Sequence, residues 1–150
     1  MYLRFAKVRS VTSPSRANPT DAGIDFFVPN DFEAGELDPK KSILIPSGIK
    51  VEIPFGYMGL FLNKSGIASK KKLLVGAQVV DTYYSGEVHI DLHNVGEDSI
   101  LISPGDKIIQ MTIVPIVPTS LQEVGEPELY KDFLLDNTRG EGGFGSTGSK

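Results

Sequence analysis

The stretch EVHIDLH, from Glu87 to His93, alternates polar and apolar side chains at every position. Successive side chains of a β-strand point to opposite faces, so Val88, Ile90 and Leu92 share one face. The other face is entirely polar. This period of two predicts a strand that covers a core on one side only, and the same pattern recurs along much of the chain.

Short apolar segments separated by turn residues continue this pattern on both sides. The predicted strands cover residues 42–46, 49–54, 57–62, 73–80, 99–103 and 107–117. Glycine and proline mark the turns between them, as in Ser47-Gly48. No long apolar period of 3.6 residues is present, although short helical turns are expected after Ser65 and over 126–134. Many short strands predict an all-β sandwich or barrel.

The composition is that of an ordinary globular protein. Of the 150 residues 40% are hydrophobic and 23% are charged, and the net charge is −4. No cysteine is present, which excludes disulfides, zinc–thiolate sites and cysteine nucleophiles. The negative charge offers no broad attraction for nucleic acid, and no apolar run approaches the roughly 20 residues of a membrane span. We expect a soluble intracellular protein that binds neither nucleic acid nor membrane.

The chain ends in RGEGGFGSTGSK, residues 139–150, where Gly140, Gly142 and Gly145 have the spacing G-x-G-x-x-G. In dinucleotide-binding proteins this spacing follows a strand and precedes a helix within a βαβ unit. The sequence after Gly145 is too short for that helix and a second strand. We therefore expect no dinucleotide site here.

The same tail carries groups that suit a single nucleotide. Arg139 can donate two hydrogen bonds to a phosphate, and successive glycine amides can form an anion nest. Phe144 is the one large apolar side chain in the tail and could stack on a base. We predict a β-domain over residues 1–135 and a flexible lid over residues 136–150. The alternative is a disordered tail that no ligand orders.

Three internal segments carry candidate site residues, each with a purely structural alternative. Asp21 and Asp25 flank a small-residue turn and could serve a metal or a phosphate, or could only shape an Asx-type turn. The segment NKSGIA, residues 63–68, suits either an anion or a simple capping turn. Gln110 lies among apolar neighbours and would need partners if buried, or would lie in an edge strand.

Two further groups of polar residues follow the apolar run 73–80. Asp81 lies near the tip of a predicted hairpin, where it could act as a general base or a metal ligand, or simply as a turn aspartate. His89, Asp91 and His93 share one strand face and could ligate a metal. Because the opposite face is cleanly apolar, a solvent-facing or inter-subunit role is favoured for these three.

Together these segments resemble the five motifs of the trimeric dUTP diphosphatase (dUTPase) family. In chain order they are DAGID (21–25), NKSGIA (63–68), QVVDTYYSG (78–86), GDKIIQ (105–110) and RGEGGFGSTG (139–148). Each of the first four is a weak signal alone, whereas the fifth is nearly complete. Five motifs in order, spanning residues 21–148, make a specific pattern.

The resemblance implies a jelly-roll-like, distorted β-barrel subunit that forms a homotrimer with three shared active sites. The implied reaction is Mg²⁺-dependent hydrolysis of dUTP to dUMP and pyrophosphate. This reaction limits uracil in DNA and supplies dUMP for dTMP synthesis. By the resemblance, Asp81 orients and deprotonates the water that attacks the α-phosphorus, and Asp25 either holds waters around Mg²⁺ indirectly or orients the catalytic shell.

The resemblance also implies a set of substrate-binding residues. A hairpin over 75–80 would read uracil through its main chain, Tyr84 would pack on the deoxyribose, and Phe144 would stack on the base. Phosphates would be held by side chains from the second, fourth and fifth motifs. The full implied set is Lys64, Ser65, Gly66, Val75, Gly76, Gln78, Val80, Tyr84, Gln110, Arg139, Phe144, Gly145, Ser146 and Thr147.

Four positions depart from the family pattern. Lys64 stands where arginine is usual, which keeps the charge but loses the bidentate fork. Asn63 replaces a proline, and Tyr83 replaces a common aspartate. Gln78 replaces a glycine, a costly change if that position needs a positive φ.

Two alternative functions remain on the same fold. One is a dCTP deaminase-type enzyme, which the complete glycine-rich tail disfavours. The other is a dUTP-sensing regulatory module that binds a protein partner. Residues 117–135 are longer than a simple connection to the tail needs, and they could carry the partner interface.

Overall fold

The computed structural model describes residues 2–131, and the predictions for the lid, including those for Arg139, Phe144, Gly145, Ser146 and Thr147, lie outside the described residues. Within that range the chain forms strands and almost no helix, which confirms the predicted all-β fold. The strands are β1 (Arg4–Lys7), β2 (Ile24–Phe27), β3 (Gly35–Leu37), β4 (Ser42–Pro46), β5 (Ile49–Glu52), β6 (Tyr57–Asn63), β7 (Leu73–Val75), β8 (Val79–Val80), β9 (His89–Asn94), β10 (Ile100–Ile102) and β11 (Lys107–Pro115).

The described strands pair in small antiparallel sheets. The largest has the order β2-β11-β6-β8, a second has the order β4-β9-β7, and two ribbons pair β1 with β5 and β3 with β10. β11 therefore lies between two neighbours, so Gln110 belongs to an interior strand and the edge-strand alternative is wrong. Strands close in sequence often separate into different sheets, as β4 and β5 do across the turn at Gly48.

The core confirms the alternation from which the strands were predicted. Val88, Ile90 and Leu92 are all buried, with Ile90 fully inaccessible. The rings of Phe26 and Phe61 meet edge to face with centroids 5.1 Å apart and join two strands of the largest sheet through the core side. Burying such side chains stabilises the fold by about 1.5–3 kcal/mol each.

The segment 73–80 differs from its prediction as a single strand that opens a hairpin. It splits into β7 and β8, which belong to different sheets and do not pair with each other. The hydrogen bonding changes sheets after Gly76. The N–H of Gly76 donates to Asp91 O in one sheet, whereas Gln78 O accepts from Phe61 N in the other. Residues 76–78 thus cross between the two sheets.

Two short helical segments complete the described chain. A single turn of π-helix, Ile67–Lys71, confirms the helical turn predicted after Ser65, and it ends at Lys72 in the left-handed region with φ 54°. The described residues 119–131 belong to a second unit that begins at Thr119, and they hold a 3-10 helix at Glu126–Glu128. No helix within residues 2–131 is long and apolar enough to cross a membrane.

Candidate active site

Four of the predicted site residues line one pocket where β6 ends and β11 begins. This pocket, here called the cationic pocket, has a volume of about 250 Å³ and is lined by Lys64, Ser65, Gly66, Ile67, Lys107 and Gln110. The strands meet there because Asn63, the last residue of β6, pairs with Ile109 near the start of β11. The second and fourth motifs are therefore adjacent in space.

Asp25 holds two lysines of the cationic pocket through its carboxylate. Its side chain is buried, and its two oxygens accept from different lysines: Oδ1 from Lys64 Nζ and Oδ2 from Lys107 Nζ at 3.1 Å. Burial by itself would raise the pKa of Asp25. The ammonium groups of Lys64 and Lys107 outweigh that effect and hold the pKa below its ordinary value. The carboxylate is therefore ionised and holds two ammonium groups in the pocket.

Gln110 and Gly23 explain why the first and fourth motifs occur together. Gln110 Nε2 donates to Asn63 O at 2.8 Å, which fixes the end of β6 beside the pocket. A Cβ on Gly23 would lie 2.8 Å from Gln110 Cδ, so a larger residue at that position would displace the Gln110 amide. Asp21 follows its structural alternative, since its side chain accepts from Asn18 N at 2.8 Å and shapes the turn.

A second group of predicted residues lines a different pocket at the other end of the sheet. This pocket, here called the base pocket, has a volume of about 320 Å³ and is lined by Phe61, Ala77, Val79, Val80, Asp81, Tyr84, Val88 and His89. Its walls combine apolar side chains with the carboxylate of Asp81, which is exposed to solvent. Ligand pockets commonly join an apolar lining to a few polar groups in this way.

The loop that carries Asp81 and Tyr84 is held by three hydrogen bonds and by a close contact at Gly86. Tyr84 N donates to Asp81 O at 3.3 Å, and Thr82 Oγ1 donates to Ile53 O at 3.0 Å. The phenol of Tyr84 donates to Glu87 O at 3.0 Å. A Cβ on Gly86 would lie 2.5 Å from Tyr84 Cζ, so the glycine lets the aromatic ring fold over the loop.

Glu87 ties this loop to distant parts of the chain, a role that sequence reasoning missed. Its Oε1 accepts from Arg9 Nε at 2.9 Å and from Gly48 N at 2.7 Å. Burial would raise the pKa of Glu87, but these donors outweigh it and leave the pKa below its ordinary value. No local signal could have revealed the contact, because Arg9 lies 78 residues away.

The departures from the family pattern at Asn63 and Gln78 have structural explanations. Asn63 Oδ1 accepts from Val75 N at 2.7 Å, a contact that proline could not make. Gln78 is exposed and is not among the described residues with a positive φ, so glycine is not needed there. Tyr83, by contrast, has φ 66°, a region where an aspartate or asparagine is tolerated better.

The histidine-rich face of β9 carries no described metal site. Among residues 2–131, no three histidine or acidic side chains are grouped so that they could hold a metal ion. His89 Nδ1 lies 3.0 Å from Glu87 O, and His93 Nε2 lies 3.7 Å from Asp91 Oδ1. These side chains serve contacts within the fold.

The two pockets lie towards opposite ends of β6. Val80 pairs with Gly59, whereas Asn63 borders the cationic pocket. Asp81 directly follows Val80 and Lys64 directly follows Asn63, and β8 runs antiparallel to β6. About six strand residues, or roughly 20 Å, therefore separate Asp81 from Lys64. The candidate base and the candidate phosphate-binding residues of one chain thus lie in two separate pockets.

Comparison with known proteins connects this geometry to a family. The sequence profile of the dUTPase family matches residues 9–148. The chain belongs to the dUTPase family. A deoxyuridine 5'-triphosphate nucleotidohydrolase from Gloeothece citriformis is 35% identical to it, over 99% of this chain and 97% of the relative.

Solved dUTPase structures have the same fold. A variant of the dUTPase of Staphylococcus bacteriophage 80alpha, solved with dUpNHpp, has a TM-score of 0.83 at 28% identity over 98% of each chain. A dUTPase from phage phi11 of S. aureus, solved with a coordinated structural Mg(II) ion, has a TM-score of 0.76 at 27% identity, over 84% of this chain and 98% of its own. Phage dUTPases such as that of bacteriophage 80alpha control transfer of virulence genes by a proto-oncogenic G protein-like mechanism. The predicted family and its jelly-roll-like barrel are confirmed.

Lys107 is the other residue that sequence reasoning missed. It lies within the fourth motif, directly after Asp106, and its ammonium group lines the cationic pocket beside Lys64. A signal was present, because a cation inside a motif already assigned to phosphate is a natural further ligand. Its contact with Asp25 depends on β2 pairing with β11, which the sequence did not show.

Proposed function

We propose that this protein hydrolyses dUTP to dUMP and pyrophosphate. The observation that carries the proposal is that the dUTPase profile spans residues 9–148 while motif residues, among them Lys64, Gln110, Asp81 and Tyr84, line two pockets of suitable chemistry. One pocket offers an apolar wall and a free carboxylate, and the other offers ammonium groups and a hydroxyl. A uracil nucleotide with a triphosphate needs both.

In the base pocket, Asp81 is proposed as the general base. Its exposed carboxylate can accept a proton from a water molecule aligned with the α-phosphorus, a contribution of roughly 10²–10⁴-fold in rate. Tyr84, fixed by its bond to Glu87 O, would pack on the deoxyribose and leave no room for a 2′-hydroxyl. Residues 75–80, including Val75, Gly76, Gln78 and Val80, would read uracil through the main chain, although they form a crossing between sheets and not a hairpin.

In the cationic pocket, charge is the main means of binding. Two ammonium groups and one carboxylate, those of Lys64, Lys107 and Asp25, leave one net positive charge next to the hydroxyl of Ser65. Phosphoryl transfer depends on positioning and on neutralising charge, both of which these groups provide. One net positive charge only partly offsets a triphosphate, so a further cation is required.

Mg²⁺ fits this site as an ion carried by the substrate. The described residues offer no group of three metal ligands, and both oxygens of Asp25 already accept from lysines. Mg²⁺ commonly keeps its waters and binds through substrate phosphates, and such an ion would neutralise the triphosphate and polarise its phosphorus. Asp25 then acts at most through waters, and its main task is to hold Lys64 and Lys107.

The separation of the two pockets supports a site shared between copies. Asp81 and Lys64 of one chain lie roughly 20 Å apart along β6. A base pocket of one copy next to a cationic pocket of another removes that gap. We propose a homotrimer with three such sites, where the number three follows from the family resemblance.

Residues 136–150 keep their predicted role as a lid, although they lie outside the described residues. Arg139, Ser146 and Thr147 would hold the γ-phosphate, and Phe144 would stack on uracil. A chain truncated after Asn137 should fold and assemble normally but turn over dUTP poorly. Unchanged turnover in that truncated chain would exclude the lid.

The primary test is pyrophosphate release from dUTP, dCTP, dTTP and UTP, each with Mg²⁺ and with ammonia measured in parallel. Selective pyrophosphate release from dUTP is expected. Equal turnover of all four nucleotides, or none, would contradict the proposal. Ammonia release from dCTP would instead identify a deaminase.

Subunit mixing tests the shared site directly. Asp81→Asn leaves the cationic pocket intact, and Lys64→Ala leaves the base pocket intact. If a site draws one pocket from each copy, mixing and reassembling the two inactive variants should restore part of the activity. Two variants that stay inactive after verified mixed assembly would show that each site lies within one chain.

A second candidate function is nucleotide-dependent control of a protein partner. It is favoured by the similarity to phage dUTPases that control gene transfer by a G protein-like mechanism. The unit that begins at Thr119 exposes Leu121 almost completely and is a candidate surface. A pull-down with and without dUpNHpp would test it, and a partner retained equally in both conditions would exclude nucleotide control.

A further inference from the structure

The loop of residues 75–78 is held by hydrogen bonds to its main chain from three directions. Asn63 Oδ1 accepts from Val75 N at 2.7 Å, and Asp91 Oδ2 accepts from Ala77 N at 2.8 Å. At the far end, Phe61 N donates to Gln78 O at 2.8 Å. Two of these three contacts use side chains, those of Asn63 and Asp91.

Asp91 contacts two neighbouring residues of this loop. It lies on the polar face of β9 and contacts the loop twice, through its side chain at Ala77 and through its carbonyl at Gly76 N, 3.0 Å away. A Cβ on Gly76 would lie 2.7 Å from Asp91 Cγ and would also collide with His93 Nε2. A side chain at Gly76 would therefore displace the side chains of Asp91 and His93 that lie against the loop.

The contact at Ala77 has a carboxylate as its acceptor. Hydrogen bonds to a charged acceptor are stronger than those between neutral groups. His93 Nε2 lies 3.7 Å from the other oxygen, Asp91 Oδ1.

The contacts from Asn63 and Asp91 are here called the clamp. Ala77 connects this clamp to the proposed ligand site. Ala77 forms part of the wall of the base pocket, together with Val79, Val80 and Asp81. Because residues 76–78 belong to no strand between β7 and β8, the shape of this part of the loop depends on the groups that hydrogen-bond to its main chain. A main chain that reads a neutral base must keep its donors and acceptors within a few tenths of an ångström.

We propose that Asp91 and Asn63 are positioning residues that fix the loop 75–78 in the shape that distinguishes uracil from other bases. The inference rests on the proposed function. It gives a role to the aspartate of the His-x-Asp-x-His face and to the asparagine that replaces a proline. Neither side chain contacts the reacting atoms, so both act through the main chain of Val75 and Ala77.

The first test compares Asp91→Ala with Asp91→Asn, and uses Asp98→Ala as the matched control. Asp91→Ala should raise the KM for dUTP about tenfold and lower the preference for dUTP over dCTP by a similar factor, with a smaller change in kcat. Asp91→Asn should recover most of the loss, because its amide oxygen can still accept from Ala77 N. Asp98→Ala removes a nearby exposed carboxylate and should behave as wild type.

The second test measures amide hydrogen exchange in the ligand-free protein, where no turnover is needed. Asp91→Ala should speed exchange at Ala77 and leave Val75 unchanged, whereas Asn63→Ala should do the reverse. Unchanged exchange at Ala77 in Asp91→Ala, or a loss of base selectivity as large in Asp98→Ala, would overturn the inference. A wild-type protein that does not turn over dUTP would defeat the proposed function, but the exchange result would still decide whether the clamp exists.

Discussion

The two ends of β6 hold their candidate ligand groups in different ways. At the Asn63 end, a buried carboxylate, Asp25, gathers two ammonium groups by charge. At the Gly59 end, Asp81 and Tyr84 sit on a loop fixed by a tight turn, a phenol–carbonyl bond and glycines that permit close contact. One end is organised by charge and the other mainly by shape.

This difference matches what each end would have to recognise. A triphosphate can be attracted by charge with little demand on exact geometry, and lysine suits such a site as a point charge. A neutral base offers only hydrogen bonds and an outline, so it must be read by a fixed main chain. Variants at the two ends should therefore have different defects, and the loss of Asp81 should have the largest effect.

Removing the carboxylate of Asp81 should damage chemistry and spare binding. Asp81→Asn keeps the size of the side chain but cannot accept a proton, so kcat should fall by about 10²–10⁴-fold. Calorimetry with dUpNHpp should give affinity close to that of wild type. Full activity in this variant would remove Asp81 as the base.

Removing the carboxylate of Asp25 should damage stability as well as binding. Asp25→Ala leaves Lys64 and Lys107 without their shared counter-charge and should destabilise the fold by about 1–3 kcal/mol, less than a fully buried pair because both lysines are partly exposed. Urea unfolding measures this effect, with Asp98→Ala as the control. Equal stability of the two variants would show that Asp25 does not organise the pocket.

Removing the ammonium group of Lys107 should weaken binding and, to a smaller extent, stability, because Asp25 then keeps only Lys64 as its ion-pair partner. Lys107→Ala should raise the KM for dUTP by about five- to tenfold, and the effect should shrink at high salt because the interaction is electrostatic. Lys41→Ala removes an exposed cation elsewhere on the surface and provides the control. An identical KM for both variants would exclude Lys107 from phosphate binding.

Acid should lower the free energy of unfolding by protonating Asp25 at the cationic pocket. Its folded-state pKa lies below its ordinary value of 3.8, so the ionised form stabilises the fold above that value, and this stabilisation is lost as the pH falls through the folded-state pKa. Unfolding free energies of wild type and Asp25→Asn should therefore converge below about pH 4. Curves that stay parallel down to acid pH would contradict the ion pairs.

Relieving the backbone at Tyr83 should give the smallest effect, at the base end. Tyr83 is exposed and has φ 66°, so Tyr83→Asn should stabilise the protein by about 0.5–1 kcal/mol, or roughly 1–4 °C in Tm. Tyr2→Asn replaces another exposed tyrosine, one without a positive φ, and should give no such gain. A loss of stability in Tyr83→Asn would mean that the ring makes contacts that matter.

Much of the candidate site could be predicted from the sequence, because its residues occur in short motifs. Lys64, Ser65, Gly66 and Gln110 were expected to act together and do line one pocket. The residues that support them could not be predicted in the same way. Glu87 meets Arg9 from 78 residues away, and Lys107 reaches Asp25 only because β11 pairs with β2.

The apolar run 73–80 shows the same limit at the level of the fold. Its composition indicates a strand, and both of its ends are strands. Whether they pair with each other depends on partners far along the chain: Leu92 opposite Val75, and Leu60 opposite Val79. A local pattern cannot distinguish a hairpin from a crossing between two sheets.

By itself, the sequence determined the all-β fold, through alternation such as that of residues 87–93, and the family, through five motifs in order. Both are local properties, since side-chain direction and motif chemistry depend on near neighbours in the chain. Only the tertiary structure decided that Asp81 and Lys64 lie at opposite ends of one strand, and that Asp91 supports the loop at Ala77. Such facts follow from strand pairing and register, which are set by the packing of the whole core.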